Sequence, residues 1–281
     1  MKSFPYTRII SYGCSFTAGD ELSDHEFIGM TEDELKKFVK THDIKGSSPL
    51  FYDVLKYSED DVDKIKKENS TRSWPNYIAK HYGIPLINKA VSGGTNELML
   101  HYYMQDRLNQ KILPTDLILI GLTSPSRWFQ FDDHGYAHYG VVGVRWKSFD
   151  ATWQQQIEKN WFNIFNMMHN YMKTIRMFSH ESDLNNHQIK LCHAFCFPGM
   201  IRSLLREELE LNVDDMFGKN DFFDSHLKMI PNHNFLNDTT CIADLAAKGE
   251  GISHHTFGHP TIKYHKIFAE LQIEELEKNY D

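Results

Sequence analysis

The chain lacks the features that mark membrane-spanning, secreted or disulfide-stabilised proteins. Its 281 residues contain no run of about 18 apolar residues, so we expect no transmembrane helix. The opening segment MKSFPYTRIISYGCSF has no long apolar stretch followed by a small-residue cleavage site, so we expect no secretory signal. Four cysteines are too few for a disulfide framework. These absences predict a cytoplasmic protein.

Basic charge is also scarce. The chain carries 30 Lys and Arg residues against 38 Asp and Glu residues, which gives a formal net charge of −8. Proteins that follow a phosphate backbone need a dense basic stripe, and none is present, so we expect no nucleic-acid partner. The hydrophobic fraction of 41% and the charged fraction of 24% are ordinary for a globular protein.

Short apolar runs alternate with segments of helical pattern along the chain. Four of these runs predict buried strands, at residues 8–13, 84–90, 116–122 and 190–197. Such alternation predicts an α/β domain with a parallel, doubly wound sheet. Ligands in that architecture bind at the carboxyl ends of the strands, so the turns after Gly13, Ala90 and Gly121 should line one crevice.

The helical segments carry end signals. Thr31, with Glu34 three residues later, predicts a capping box at the start of an exposed helix. Ser73 and Gly83 predict the two ends of another helix. Residues 152–179 predict one long helix whose hydrophobic stripe packs in the core.

We expect a single domain over residues 1–281, and two small domains are the alternative. Two insertions interrupt the strand–helix alternation, at residues 20–70 and 129–150. In the second, aromatic and β-branched residues between glycines predict a hairpin. Connections that follow strands lie on the ligand side in this architecture, so both insertions should form walls of the crevice.

A serine follows the first predicted strand. Residues 13–19 read Gly-Cys-Ser-Phe-Thr-Ala-Gly, and Ser15 can present its hydroxyl where backbone N–H groups stabilise a developing anion. The alternative is that Ser15 only caps a helix. The G-x-S-x-G turn of α/β-hydrolases needs glycine at the second position after the serine, and Thr17 stands there, which disfavours that class.

Two further turns carry hydrogen-bond donors. In Ser-Gly-Gly-Thr-Asn (92–96), the glycines let backbone N–H groups approach a bound oxygen closely, although a plain tight turn would look the same. Thr123 and Ser124 end the strongest predicted strand and can donate from their hydroxyls. Ser124 and Arg127 are candidates for substrate binding, since Arg127 can hold a carboxylate, with a structural ion pair as the alternative.

A histidine precedes the last predicted helix. His259-Pro260 opens an amphipathic segment with proline near the first turn, where a histidine is well placed to act as a general base. The chain has 16 histidines, and only this context distinguishes His259 from the others.

Together these segments resemble the SGNH (GDSL-like) hydrolase family, in a variant found among bacteriophage and bacterial proteins. GCSFTAGDEL resembles the first family block, SGGTN the second and GHPTIKYHKIFAEL the last, and the resemblance spans residues 8–130 and 253–275. It implies a flavodoxin-like three-layer α/β/α sandwich and ester hydrolysis through an acyl-enzyme. It also implies Ser15 as nucleophile and contributor of an oxyanion N–H, Gly93 as a second oxyanion donor and His259 as base.

Two positions depart from the family pattern. The family's G-x-N-D asparagine aligns with Thr123, and the usual aspartate three residues before the histidine is Thr256. Thr123 itself or Asn96 can serve as the missing oxyanion donor. Asp238 or Asp244 can supply the acid, or a backbone carbonyl can orient the histidine.

The resemblance predicts a serine esterase or acyl hydrolase that cleaves a small-molecule or carbohydrate ester, such as an acetylated sugar. We expect no cofactor, no metal and no membrane partner, and the sequence leaves the oligomeric state open. The expected location is the cytoplasm, or the virion if a phage encodes the protein.

Two other functions stay open. The departures at Thr123 and Thr256 favour a non-catalytic member of the same fold, acting as a carbohydrate-binding or virion structural protein. A metal-dependent hydrolase would use His254, His255 and His259, or the segment 192–196, whose Cys-x₃-Cys spacing without a second pair is poor for zinc.

Overall fold

The computed structural model describes residues 4–20, 22, 29–41, 56–125, 127–131, 137–141, 164–185, 188–194, 235–237, 240–249 and 259–278. Its elements follow in chain order: β1 (Arg8–Gly13), α1 (Ser15–Ala18), α2 (Glu32–Thr41), α3 (Glu59–Thr71), α4 (Trp74–Tyr82), β2 (Leu86–Asn88), α5 (Asn96–Leu108), β3 (Asp116–Leu122), β4 (Arg127–Phe131), β5 (Ala137–Val141), α6 (Ile164–Asn185), β6 (Gln188–His193), β7 (Phe235–Asn237), α7 (Ile242–Gly249) and α8 (Ile262–Lys278).

The centre of the described structure is a sheet of five strands in the order β2-β1-β3-β6-β7. Every neighbouring pair in it is parallel. The strands β4 and β5 form a separate antiparallel pair. Without that pair, the sheet order becomes 2-1-3-4-5, which is the order of the flavodoxin-like doubly wound fold. The predicted fold class is therefore confirmed.

Helices cover both faces of the sheet. On one face α4 packs against α8, where the Trp74 and Phe268 ring centroids lie 5.3 Å apart. On the other face α5 packs against α6, with Tyr103 5.9 Å from Phe178. Strand β3 is buried along its whole length, as a parallel strand covered on both faces should be. None of the helices within the described ranges is long and apolar enough to cross a bilayer.

The predicted strands agree with the structure best where the apolar run is longest. The bounds of β1 and β3 are as predicted, whereas β2 is shorter than 84–90 and β6 begins two residues before the predicted 190. The sequence does not predict β7, because its three residues are not part of a longer apolar run as those of β2 are. The predicted hairpin is present, and its first strand begins at Arg127.

Two of the predicted helix ends are confirmed in detail. At the start of α2, the Glu34 N–H donates to Thr31 Oγ1 (3.3 Å) and the Glu34 carboxylate accepts from the Thr31 N–H (2.8 Å), which is the predicted capping box. Helix α4 ends at Gly83 in the left-handed conformation, with φ of 67°. Of the predicted long helix, residues 152–163 lie outside the described residues, and α6 continues to Asn185.

The start of α4 differs from the prediction in its hydrogen bonds. Ser73 occupies the cap position, but its hydroxyl donates to the Ser70 carbonyl (2.7 Å) and makes no cap bond. Instead the Trp74 N–H donates to Nδ1 of His265 on α8 (3.1 Å). Because His265 is buried, this bond stabilises the contact between the two helices, and the sequence pattern at Ser73 cannot reveal it.

The carboxyl ends of β1 and β3 make room for one threonine. Gly13 and Gly121 are partners in the register of the two strands. A Cβ atom on either glycine would overlap the side chain of Thr17, which is fully buried. The one-turn helix α1 therefore lies directly against the ends of these strands, and this contact requires glycine in both.

Replacing Gly121 with alanine should destabilise the fold. The added methyl group meets the buried and β-branched Thr17, so we expect a loss of about 1–3 kcal/mol in the free energy of unfolding, measured by urea denaturation. Thr17→Ala removes the obstacle, so the double variant should be more stable than the sum of the two single changes predicts, by at least about 0.5 kcal/mol. Additive effects would show that the two residues do not touch.

Candidate active site

Ser15 is the first residue of α1, directly beyond the carboxyl end of β1. It is buried, at 3% exposure, and it follows Cys14, whose backbone is extended. The first N–H groups of a helix have no acceptor within the helix. In the described residues no hydrogen bond engages the Ser15 N–H or its hydroxyl. Neither group is therefore used in a hydrogen bond within this part of the structure.

The turn after Ser15 requires glycine at its end. Gly19 has φ of 83°, and its N–H donates to the Ser15 carbonyl (2.9 Å). A Cβ atom there would lie 2.7 Å from the carbonyl oxygen of Asn69 in α3. Helix α3, from the first predicted insertion, therefore packs against α1 and restricts its position.

The glycine turn at 91–94 lies against the end of β1. The Val91 N–H donates to the Gly13 carbonyl (2.9 Å), and the Gly94 N–H donates to the Val91 carbonyl (2.8 Å). Gly93 has φ of 73°, and a Cβ atom on Gly94 would lie 2.8 Å from Val91 O and 3.1 Å from Gly13 O. No described hydrogen bond engages the Gly93 N–H. Two glycines thus bring a backbone donor to the strand edge that carries Ser15.

Asn96 and Thr123 form a reciprocal pair. The Thr123 N–H donates to Asn96 Oδ1 (2.9 Å), and Asn96 Nδ2 donates to the Thr123 carbonyl (3.1 Å). Both residues are buried, and Thr123 Oγ1 has no hydrogen-bond partner among the described residues. Because an amide nitrogen carries two hydrogens, one N–H of Asn96 remains after this pairing.

Arg127 binds the glycine turn itself. Its guanidinium donates from Nη1 to the Gly94 carbonyl (3.0 Å), and its side chain is half-buried. The described structure shows no carboxylate paired with this group, which differs from the ion pair considered as an alternative. Ser124, also half-buried, lies between Arg127 and the end of β3.

His259 lies next to the Ser15 turn. Its ring centroid is 5.4 Å from that of Phe16, the residue after the serine, and both side chains are buried. Helix α8 begins three residues after the histidine. Phe16 is a residue of this site that sequence patterns do not indicate, and the only local signal for it is its place directly after the candidate nucleophile.

The acid candidates are placed only in part. Asp244 lies in the first turn of α7 and is half-buried, and its N–H donates to Cys241 Sγ (3.3 Å). Asp238 and Thr256 lie outside the described residues. The identity of the acid remains a prediction.

The metal interpretation gains no support from the residues that the structure places. No three His, Cys, Asp or Glu side chains of the described ranges are grouped as metal ligands. Burial raises the pKa of the Cys192 thiol far above its usual value, which disfavours the thiolate that a metal needs. His254, His255 and Cys196 lie outside the described residues.

The turns after β1, β2 and β3 thus converge at one edge of the sheet. Gly13 contacts the turn that contains Gly93, and Asn96 pairs with Thr123. The His259 ring completes this group through Phe16. The result is a buried hydroxyl, several backbone and amide N–H donors and an imidazole ring, which are the parts that acyl transfer uses.

No protein-family model matches the chain, and neither does any curated protein. Among solved structures, the chain is similar to a protein from Desulfitobacterium hafniense described as lipolytic and of the G-D-S-L family. The TM-score is 0.45 at 12% identity, over 96% of this chain and 99% of that one. It is also similar to the psychrotrophic esterase EstA from Pseudoalteromonas sp., at a TM-score of 0.42 and 12% identity, over 98% of both chains.

The Asn96–Thr123 pair makes a prediction about stability. Asn96→Ala leaves the buried Thr123 N–H and carbonyl without partners, so the free energy of unfolding should fall by about 1–3 kcal/mol in urea denaturation. Asn109→Ala is the matched control, since Asn109 is exposed at the other end of the same helix and should change stability by no more than about 0.5 kcal/mol. Equal losses in both variants would show that the pair contributes nothing.

Proposed function

We propose that the chain is a serine esterase of the SGNH (GDSL-like) type that cleaves a small-molecule or carbohydrate ester. The observation that carries this proposal is the contact between His259 and Phe16, because it brings an imidazole next to the turn that presents Ser15. A serine hydroxyl is a weak nucleophile unless a neighbouring base takes its proton. Ser15 is therefore assigned as the nucleophile and His259 as the general base.

The reaction proceeds in two halves. Ser15 Oγ forms a bond to the ester carbonyl carbon while its proton passes to His259, and the carbonyl oxygen becomes an oxyanion. The bond from that carbon to the alcohol oxygen then breaks, and His259 returns the proton to the leaving alcohol. In the second half, water gives a proton to His259 while its oxygen forms a bond to the acyl carbon. The bond from that carbon to Ser15 Oγ then breaks, His259 returns the proton to Ser15, and the acid leaves.

The oxyanion is held by three N–H groups in this proposal. The Ser15 and Gly93 N–H groups are two of them, since no described hydrogen bond engages either. Asn96 supplies the third from the N–H that its pairing with Thr123 leaves over. The amide of Asn96 lies against the strand position where the family places its asparagine, so it replaces that residue from a neighbouring helix. The Thr123 hydroxyl is the alternative donor.

Arg127 gives the site a cation next to the oxyanion turn. Only one of its five N–H donors is used on Gly94, and no described carboxylate neutralises it. We assign Arg127, with Ser124, to binding the polar part of the substrate, with a preference for an ester that carries a carboxylate.

A second function fits the two departures from the family pattern. Thr256 stands where the family has its aspartate, and Thr123 stands in place of the oxyanion asparagine. With these two changes, the same fold can bind a carbohydrate or act in a virion without catalysis. Reaction with an organophosphonate separates the two proposals, because only an activated serine attacks phosphorus. In either case we place the protein in the cytoplasm, or in the virion of a phage that encodes it.

Ser15→Ala should abolish ester hydrolysis and leave folding intact, because the change removes one small hydroxyl. His259→Ala should lower kcat nearly as far, since the serine loses its base. The measurement is turnover of acetyl, longer acyl and acetylated-sugar esters by each folded variant. Retained turnover in Ser15→Ala would contradict the serine mechanism and reopen the metal interpretation.

The aspartate variants identify the acid. If Asp238 or Asp244 orients the imidazole, its change to asparagine should lower kcat by on the order of 10⁴, the loss known for the chymotrypsin-type triad. The other aspartate serves as the control with the same chemical change. Little change in both variants would assign the orienting role to a backbone carbonyl, and the enzyme would then work with a Ser-His dyad.

A further inference from the structure

Asn88, the last residue of β2, makes four hydrogen bonds through its side-chain amide. Its Oδ1 accepts from the Ser11 hydroxyl (2.9 Å) and from the Ala90 N–H (3.1 Å). Its Nδ2 donates to the Thr17 carbonyl (3.0 Å) and to the Ser73 hydroxyl oxygen (3.4 Å). The side chain thus connects β1, α1, the start of α4 and the turn after β2.

The bond to Thr17 matters because α1 is a single turn. The last carbonyls of a helix have no partner within the helix, and so short a helix gains little stability from its own bonds. Its orientation is therefore fixed by contacts from outside. The methyl and hydroxyl of Thr17 lie against Gly13 and Gly121, and its carbonyl is held by Asn88.

The segment that contains Asn88 also leads into the glycine turn. The Lys89 N–H donates to the Ser11 carbonyl (2.8 Å), and the Val91 N–H donates to the Gly13 carbonyl (2.9 Å). Two residues later comes Gly93. One side chain therefore fixes the turn that carries Ser15 relative to the turn that carries the second oxyanion donor.

We propose that Asn88 is a positioning residue, which fixes the Ser15 turn relative to the Gly93 turn through its bond to the Thr17 carbonyl. This inference rests on the proposed esterase function, in which the Ser15 hydroxyl must reach the carbonyl carbon of an ester whose oxygen is held by the oxyanion donors. An amide suits this position, since it offers two acceptor sites for Ser11 and Ala90 on its oxygen and two donors for Thr17 and Ser73 on its nitrogen.

Asn88→Asp tests the donor side alone. The carboxylate keeps the shape and the acceptor for Ser11 and Ala90, but it loses the donor and places negative charge against the Thr17 carbonyl. Displacement of a reacting group by about 1 Å can cost 10²-fold in rate, so kcat should fall by about 10²-fold with KM little changed. Ser11→Ala is the matched control, because it removes a bond to the same amide on the acceptor side and leaves the Thr17 contact in place.

The closing experiment uses two readouts on the full chain. One is the rate at which an organophosphonate modifies Ser15, together with kcat and KM on an acetyl ester. The other is hydrogen exchange of the α1 amides. We expect slower modification, lower kcat and faster exchange at residues 17–19 in Asn88→Asp, and values close to those of the unchanged protein in Ser11→Ala. If Asn88→Asp does not fold, Asn88→Ser, whose hydroxyl is too short to reach Thr17, is measured in the same way.

The outcomes separate the two proposals. Equal effects in Asn88→Asp and Ser11→Ala, or unchanged exchange in α1, would overturn the positioning role. If the unchanged protein neither hydrolyses the ester nor reacts with the phosphonate, the esterase proposal fails. The exchange result then decides alone whether Asn88 fixes the position of α1.

Discussion

The position of Ser15 depends on the contact between Thr17 and the paired glycines Gly13 and Gly121. A one-turn helix cannot hold its own orientation, so α1 takes its place from the ends of β1 and β3 against which Thr17 lies. The Asn88 amide holds the carbonyl of the same threonine. The candidate nucleophile is therefore fixed by the rigid sheet rather than by a mobile loop, as a site that needs a fixed geometry requires.

The rest of the candidate site follows from the parallel sheet. The carboxyl ends of β1, β2 and β3 lie at one edge because these strands are parallel neighbours, so the turns that follow them lie close together. Glycines at 93 and 94 let the second turn lie against the first, and Arg127 holds the Gly94 carbonyl. Asn96, the first residue of α5, reaches the end of β3 and pairs with Thr123.

The sequence predicts those parts of the molecule that local patterns determine. The strands β1 and β3 are continuous apolar runs, and the capping box at Thr31 and the glycine end at Gly83 are local signals. Local patterns do not predict contacts between segments that are distant in the sequence. His265 replaces Ser73 as the hydrogen-bond partner at the start of α4 across 191 positions of sequence, and Asn88 reaches Thr17 across 71. The glycine-rich segment 92–96 is enough to make Asn96 a candidate oxyanion donor, whereas its pairing with Thr123 is visible only in the folded structure.

We propose that Ser15 is an activated nucleophile with His259 as its base. The most direct measurement is the intact mass of the protein after exposure to an organophosphonate, with peptide mapping of the adduct. Our account predicts one phosphonyl group on Ser15, and no adduct on either the Ser15→Ala variant or the folded His259→Ala variant at the same exposure. A folded protein that takes up no phosphonyl group, or takes it up at another residue, would contradict the account.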